Sequence, residues 1–268
     1  MKLYAISDLH LHYQVNRDAL RALPPHVDDW LILAGDIGET PEHLQFAFEV
    51  LRSRWSKLIW VPGNHELWSR GADAPRGGDR YGRLVELCRD YGVLTPEDPY
   101  PAWPGPGHPI IAPLFLLYDY SFCPDGHTPQ MAVEWAAKAR ISAVDERLLH
   151  PDPYPDRSSW CRARVAETSL RLSEIPDERH TILVNHFPLR RDLVRLLLIP
   201  RFSPWCGTTM TEDWHLRFRA DVVVTGHLHV RATDYRDGVR FEEVSLGYPR
   251  QWDQRRDLES YLRLILGH

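Results

Sequence analysis

Apolar runs of four or five residues recur along the chain, at residues 3–7, 30–34, 57–61, 181–184 and 221–225. Each is too short for a helix and too continuous for a half-exposed strand, so each predicts a strand buried on both faces. Between the first three runs the spacing of apolar positions changes to a helical one. Residues 15–23 form one such stretch. A second begins at Thr40-Pro41-Glu42, which supplies a hydroxyl cap and a proline at the first helical position, and continues with Phe46, Val50 and Leu51 as its apolar stripe. Residues 81–91 predict a further helix. This strand–helix alternation implies a largely parallel sheet.

The pattern then changes. Residues 96–113 hold seven prolines and two glycines, which leaves no room for a long regular element, although residues 110–117 recover a strand-like run. From 131 to 175 the spacing is helical, interrupted by Pro151, Pro153 and Pro155. The last third returns to strands, and residues 231–235 and 240–246 flank Asp237-Gly238, a hairpin signal. The expected fold is α/β, with two sheets packed together and helices outside. Residues 1–268 read as one domain, with 96–175 as an insertion or cap.

The polar positions that follow the apolar runs carry the chemistry. Five short motifs are dispersed along the chain: Asp8-Leu9-His10, Gly35-Asp36, Gly63-Asn64-His65-Glu66, Asn185-His186 and Gly226-His227-Leu228-His229. Four of them directly follow a strand-like run, at its carboxyl end, where open α/β sheets bind ligands. Aspartate, asparagine and histidine are the ligand types of borderline divalent metals. One or two carboxylates, an amide and several imidazoles leave a pair of ions with net positive charge for a phosphate. Paired ions can generate hydroxide near neutral pH and stabilise the attacking and leaving oxygens. An imidazole outside the ligand set can assist the leaving group.

The series D-x-H, G-D, G-N-H-E, H and G-H-x-H, in this order, resembles the calcineurin-like metallophosphoesterase superfamily over most of the chain. The resemblance implies a four-layer α-β-β-α sandwich of two mixed sheets. It also implies two divalent metal ions, Mn, Fe or Zn, with Mn the one expected to support activity. Asp8, His10 and His229 would hold the first ion, Asn64, His186 and His227 the second, and Asp36 would bridge them. His65 would be the catalytic non-ligand imidazole. Glu39 stands where the protein-phosphatase branch has an aspartate that orients this histidine, one methylene longer. The segments Leu117-Tyr118-Asp119-Tyr120-Ser121-Phe122 and Val244-Ser245-Leu246-Gly247-Tyr248-Pro249-Arg250-Gln251-Trp252 resemble a bacterial branch that includes enzymes releasing phosphopantetheine from carrier proteins. The implied activity is two-metal hydrolysis of a phosphoester, monoester or diester, on a small or carrier-protein-linked substrate.

Other polar residues have plainer readings. His12 alternates with His10 and faces either the site or solvent. His26, His43, His108, His127, His150, His180, His215 and His268 read as surface or loop residues. Trp30, Trp55 and Trp60 belong to the core, while Trp160, Trp205, Trp214 and Trp252 fall where contacts at a site rim are open to them. Arg190 and Arg191 read as a solvated helix face, and Cys206-Gly207-Thr208 as a loop bordering the site.

A net charge of −5 argues against an extended nucleic-acid surface, and hence against a nuclease of the same superfamily. A catalytically silent scaffold, such as the retromer subunit with this fold, would show decayed motifs, and none is decayed here. The four cysteines are far apart with no CxxC pair, which excludes a zinc ribbon or thioredoxin motif and fits reduced thiols. No apolar run approaches the ~20 residues of a membrane span. The first residues enter a strand with no signal-type stretch, so a cytoplasmic location is expected. Oligomeric state is not legible.

Overall fold

The structure, a computed structural model, describes residues 1–71 and 73–267; His268 lies outside the described residues. Strands β1 (Leu3–Ile6), β2 (His26–Leu33) and β3 (Trp55–Trp60) alternate with helices α1 (Gln14–Ala22) and α2 (Pro41–Leu51). Then come α3 (Asn64–Leu67), α4 (Gly77–Asp90), β4 (Ile110–Pro113), α5 (Pro129–Ala137), α6 (Asp145–Leu148) and α7 (Arg157–Ser173). The chain closes with β5 (Thr181–Val184), α8 (Trp214–Arg217), β6 (Ala220–Thr225), β7 (Ala232–Arg236), β8 (Val239–Glu243) and β9 (Arg263–Leu266). These make a four-stranded sheet in the order β3-β2-β1-β9 and a five-stranded sheet in the order β4-β5-β6-β8-β7. Both are mixed, because β9 and β7 run antiparallel to their neighbours.

The two-sheet core follows from the two-sided strands. Leu3, Ala5, Ile32 and Ile59 of the first sheet meet Ile111, Ile182, Val184, Val222 and Val224 of the second in one cluster. Alternate residues of the same strands, Leu31, Leu33, Leu58, Leu183 and Val223, point the other way. They share a larger cluster with Leu44, Phe48, Leu84 and Leu172 of the helices. The period of two thus sends every second side chain to the inter-sheet layer and the rest to a helix layer.

Several expected boundaries move. Strand β4 ends at Pro113, and residues 114–117, equally apolar and equally buried, leave the sheet; the amide of Leu116 donates to the Asn185 side chain instead. Strand β9 and the short 3-10 segments Arg191–Leu193 and Pro200–Trp205 carry too few residues for a periodicity to show. In α2 the buried positions are Leu44, Ala47, Phe48 and Leu51, so Phe46 and Val50 flank the stripe, and the Thr40 hydroxyl makes no capping bond. Trp160, Trp205 and Trp214 are core residues, not rim residues. His215 is buried too, its Nε2 2.9 Å from Asp237 in the β7–β8 turn. Within 96–175, β4 belongs to the sheet edge and α7 lends Trp160, Cys161, Val165 and Leu172 to the main core.

The sheets also touch directly. Ser7, just past β1, bridges in parallel to Ser245, just past β8, and this joins the two sheets at their carboxyl ends. Ile182→Ala, in the layer between the sheets, is expected to cost about 2–5 kcal/mol in urea unfolding. Val27→Ala, at the exposed start of β2, should cost under about 0.5 kcal/mol.

Candidate metal centre

The loops after β1, β2, β3, β5 and β6 bring the five motifs to one place. Asp8 Oδ1, His10 Nε2 and His229 Nε2 converge: the two imidazole nitrogens are 3.1 Å apart, and His229 Nε2 is 2.9 Å from Asp8. Asp36, His186 and His227 form a second convergent group, with His186 Nε2 3.4 Å from Asp36 Oδ2. His65 Nε2 lies 3.7 Å from the same Asp36 oxygen, so His10, Asp36 and His65 also converge. Asp8, His10, His186 and Asp36 are all at most 2% exposed.

Buried polar atoms without protein partners mark where ions belong. Among the described residues, His186 Nε2, His227 Nε2 and Asn64 Oδ1 make no hydrogen bond, although buried polar atoms are normally satisfied. On His186 and Asn64 the opposite atom is tied down. His186 Nδ1 is held 2.9 Å from the Ala34 carbonyl, which turns Nε2 toward Asp36. Asn64 Nδ2 donates to Asp145 at 2.9 Å, which turns Oδ1 inward. His229 Nδ1 is 2.8 Å from Gln251 Oε1. Such outer contacts fix the tautomer and orientation of metal-binding side chains. The residues therefore fit two divalent ions.

The backbone is strained where the ligands sit. Asp8 (φ 55°), His10 (43°), Asp36 (53°), His227 (72°) and His229 (54°) all occupy the left-handed region, which non-glycine residues rarely adopt. Strain of this kind gathers at functional sites when the surroundings enforce it. Two glycines make the close approaches possible. A side chain at Gly63 would place its Cβ 2.1 Å from Asp36 Oδ1, and one at Gly226 would stand 2.5 Å from Asp8 Oδ2.

The charges respond to one another. Burial works against a negative Asp36, yet His186 and His65 hold its carboxyl well below the usual carboxylate range. His186 is pushed up to about 10: burial opposes its charge, and Asp36 outweighs burial. His227 is pushed down to about 3 by burial and by the neighbouring His186. For His65, burial opposes protonation, but Asp36 and Glu39 raise it. Glu39 Oε1 lies 3.6 Å from His65 Nδ1, an ionic contact beyond hydrogen-bond range, and its other oxygen is held by Arg70 at 2.6 Å.

Several supporting residues had no role in the motif reading. Glu66 accepts from the backbone amides of Asp36, Ile37, Gly38 and Gly63, at 2.9, 2.5, 3.3 and 2.8 Å, and so clamps two motif loops together. Ser7 and Ser245 donate to Asp8 Oδ2 at 2.6 and 2.7 Å. Asp145, 81 residues from Asn64, is invisible to motif spacing. His12 faces Glu39 at 3.7 Å rather than the convergent atoms. Arg190 and Arg191 pair with Asp192 and Asp125, and Cys206 packs behind the site with Phe122 and Leu228. A cavity of about 280 Å³ opens above Asp36, Asn64, His65, His227 and His229, walled by Leu196, Ile199, Phe202 and Tyr248.

Fold and donor set together define a metal-dependent hydrolase of phosphoester bonds. A profile of the calcineurin-like phosphoesterases matches residues 1–231, and the chain belongs to that family. It is 49% identical to the [acyl-carrier-protein] phosphodiesterase PptH of Mycobacterium tuberculosis, over 98% of this chain and 83% of the relative. The crystal structure of phosphopantetheinyl hydrolase PptH from that organism superposes with a TM-score of 0.94 at 48% identity, covering 100% of this chain and 96% of the other. Among the described residues, no helix is long and apolar enough to cross a membrane.

Glu243, which holds Ser245 beneath Asp8, offers a pH test. Burial, reinforced by the charge of Asp8, pushes its carboxyl from 4.5 up to about 7. The folded metal-free protein therefore keeps a proton that the unfolded chain releases near pH 4.5. The contribution of this group is full below that pH and is lost as pH rises through 7. In metal-free urea titrations, Glu243→Gln should lose less stability than the parent between pH 4.5 and 7, by on the order of 1–3 kcal/mol.

Proposed function

We propose that the chain hydrolyses the phosphodiester linking a phosphopantetheine arm to a carrier protein, with two divalent ions, Mn supporting activity best. The observation that carries this is the convergence of Asp8, His10, His229, His186 and His227 with Asp36 in a chain so similar, end to end, to a relative named for that reaction. In this reading Asp8, His10 and His229 would hold one ion and Asn64, His186 and His227 the other, with Asp36 serving both. Bound there, the ions supply Lewis acidity for the phosphoester and the means to deprotonate water near neutral pH.

The remaining steps belong to the protein. Asp36 is kept anionic by its imidazole neighbours, and His186 and Asn64 are held in one orientation by Ala34 and Asp145. His65 stacks on Trp68, ring centroids 3.7 Å apart, and its Nδ1 faces Glu39. Held there and favoured in the protonated form, His65 donates from Nε2 to the departing serine oxygen of the carrier. Substrate selection falls to the cavity wall, Leu196, Ile199, Phe202 and Tyr248.

The test is release of phosphopantetheine from holo-carrier protein by Mn²⁺-loaded enzyme, run beside bis-p-nitrophenyl phosphate. Asp36→Ala should abolish both activities. His65→Ala should lower kcat by about 10²–10⁴-fold while elemental analysis still finds two ions per chain. Loss of an ion in that variant would make His65 a ligand instead. Asp145→Ala should weaken binding of the ion assigned to Asn64 by about 10–100-fold in a metal titration, with the circular dichroism spectrum unchanged.

A further inference from the structure

Residues 196–199 read Leu-Leu-Leu-Ile, and the fold splits this run between two environments. Leu196 and Ile199 line the cavity above the candidate metal centre. Leu197 and Leu198 stand outside it, 92% and 95% exposed. Beneath Leu197 an apolar groove of about 270 Å³, bounded by Leu193, Leu228, Val230 and Phe241, runs along the outside of the same wall. Leu228 is shared by cavity and groove. An exposed apolar run of this kind is avoided on a soluble surface unless it is used.

The surrounding cations say what kind of surface it meets. Arg191 and Arg195 are neutralised by Asp125 and Asp234. Arg201, which follows the run and rests on Trp135, meets no carboxylate among the described residues. Neither does Arg250, exposed on the opposite lip of the cavity. A small substrate seated in the cavity cannot touch Leu197 or Leu198, which point away from it. A macromolecule that delivers its phosphoester to the cavity has the reach to cover both.

We propose that the Leu197–Leu198 protrusion, flanked by Arg201 and Arg250, is the docking surface for an acidic carrier protein whose phosphoester enters the cavity on a flexible arm. This rests on the carrier-linked reading of the site. Apolar burial at the centre supplies affinity, and the two guanidiniums, facing the partner's carboxylates, supply steering and orientation.

The experiment compares wild type with the Leu197→Ser/Leu198→Ser double variant on holo-carrier protein and on bis-p-nitrophenyl phosphate. KM for the carrier substrate should rise about tenfold or more, with its kcat and the small-diester activity unchanged. In wild type the same KM should rise with NaCl concentration. An unchanged carrier KM in the double variant overturns the docking surface alone, and so does an equal fall on both substrates. Wild type that cleaves the small diester but no carrier substrate overturns the carrier-linked reading, and the docking surface with it. A wild-type dimer in light scattering that the double variant dissolves would give the face to a second copy. Co-sedimentation with phosphatidylglycerol vesicles, lost in the double variant, would give it to a lipid surface. Either result overturns the proposal.

Discussion

The carboxylate of Asp36 is 2% exposed, sits where the carboxyl ends of both sheets meet, accepts from the His65 amide at 2.9 Å, and lies 3.4 Å from His186 Nε2. A buried charge so thinly satisfied needs positive charge close by. In the metal-free protein His186 stands beside it, pushed up to about 10 because Asp36 outweighs burial. Two divalent ions would supply the same charge and release the imidazole to coordinate. Much of the surrounding architecture is what it takes to keep this anion buried and to turn the converging imidazoles toward it.

That architecture costs stability locally. Asp8, His10, Asp36, His227 and His229 are all in the left-handed backbone region, each at a penalty of about 1–3 kcal/mol. The compensation is structural. Glu66 ties the β2 and β3 loops through four backbone amides, and the Ser7–Ser245 bridge ties the first sheet to the second. The inter-sheet aliphatic layer then makes the strand ends rigid enough to impose the strain.

The site divides by depth. Its floor is made of ionisable residues whose orientation is set from behind, by Ala34, Asp145 and Gln251. Its wall is apolar and comes from segments with little regular structure, the 3-10 stretch at Pro200–Trp205 and the run before it. Chemistry common to a whole family can therefore sit on the strand ends while selectivity changes on the wall, with little coupling between them.

The strands and the polar side chains that converge at their ends were legible in the sequence for a physical reason. A strand buried on both faces must be apolar throughout, and a ligand at its carboxyl end must follow at once, so run and motif stand side by side in the chain. Residues 181–184 match β5 to the residue. Glu66 was legible only as a motif letter, since its work is to accept amides from a loop 30 residues away. Residues 114–117 read as strand because burial alone makes them apolar, and only packing shows that they leave the sheet. Trp160, Trp205 and Trp214 read as rim because composition cannot say which way a large ring turns.

The sequence by itself determined the alternation of layers and the identities of the donors, because both are written in the local spacing of residue types. The tertiary structure alone decided which donor atoms are free. That depends on contacts such as Asn64 with Asp145 and His186 with Ala34, separations of 81 and 152 residues that no local pattern records.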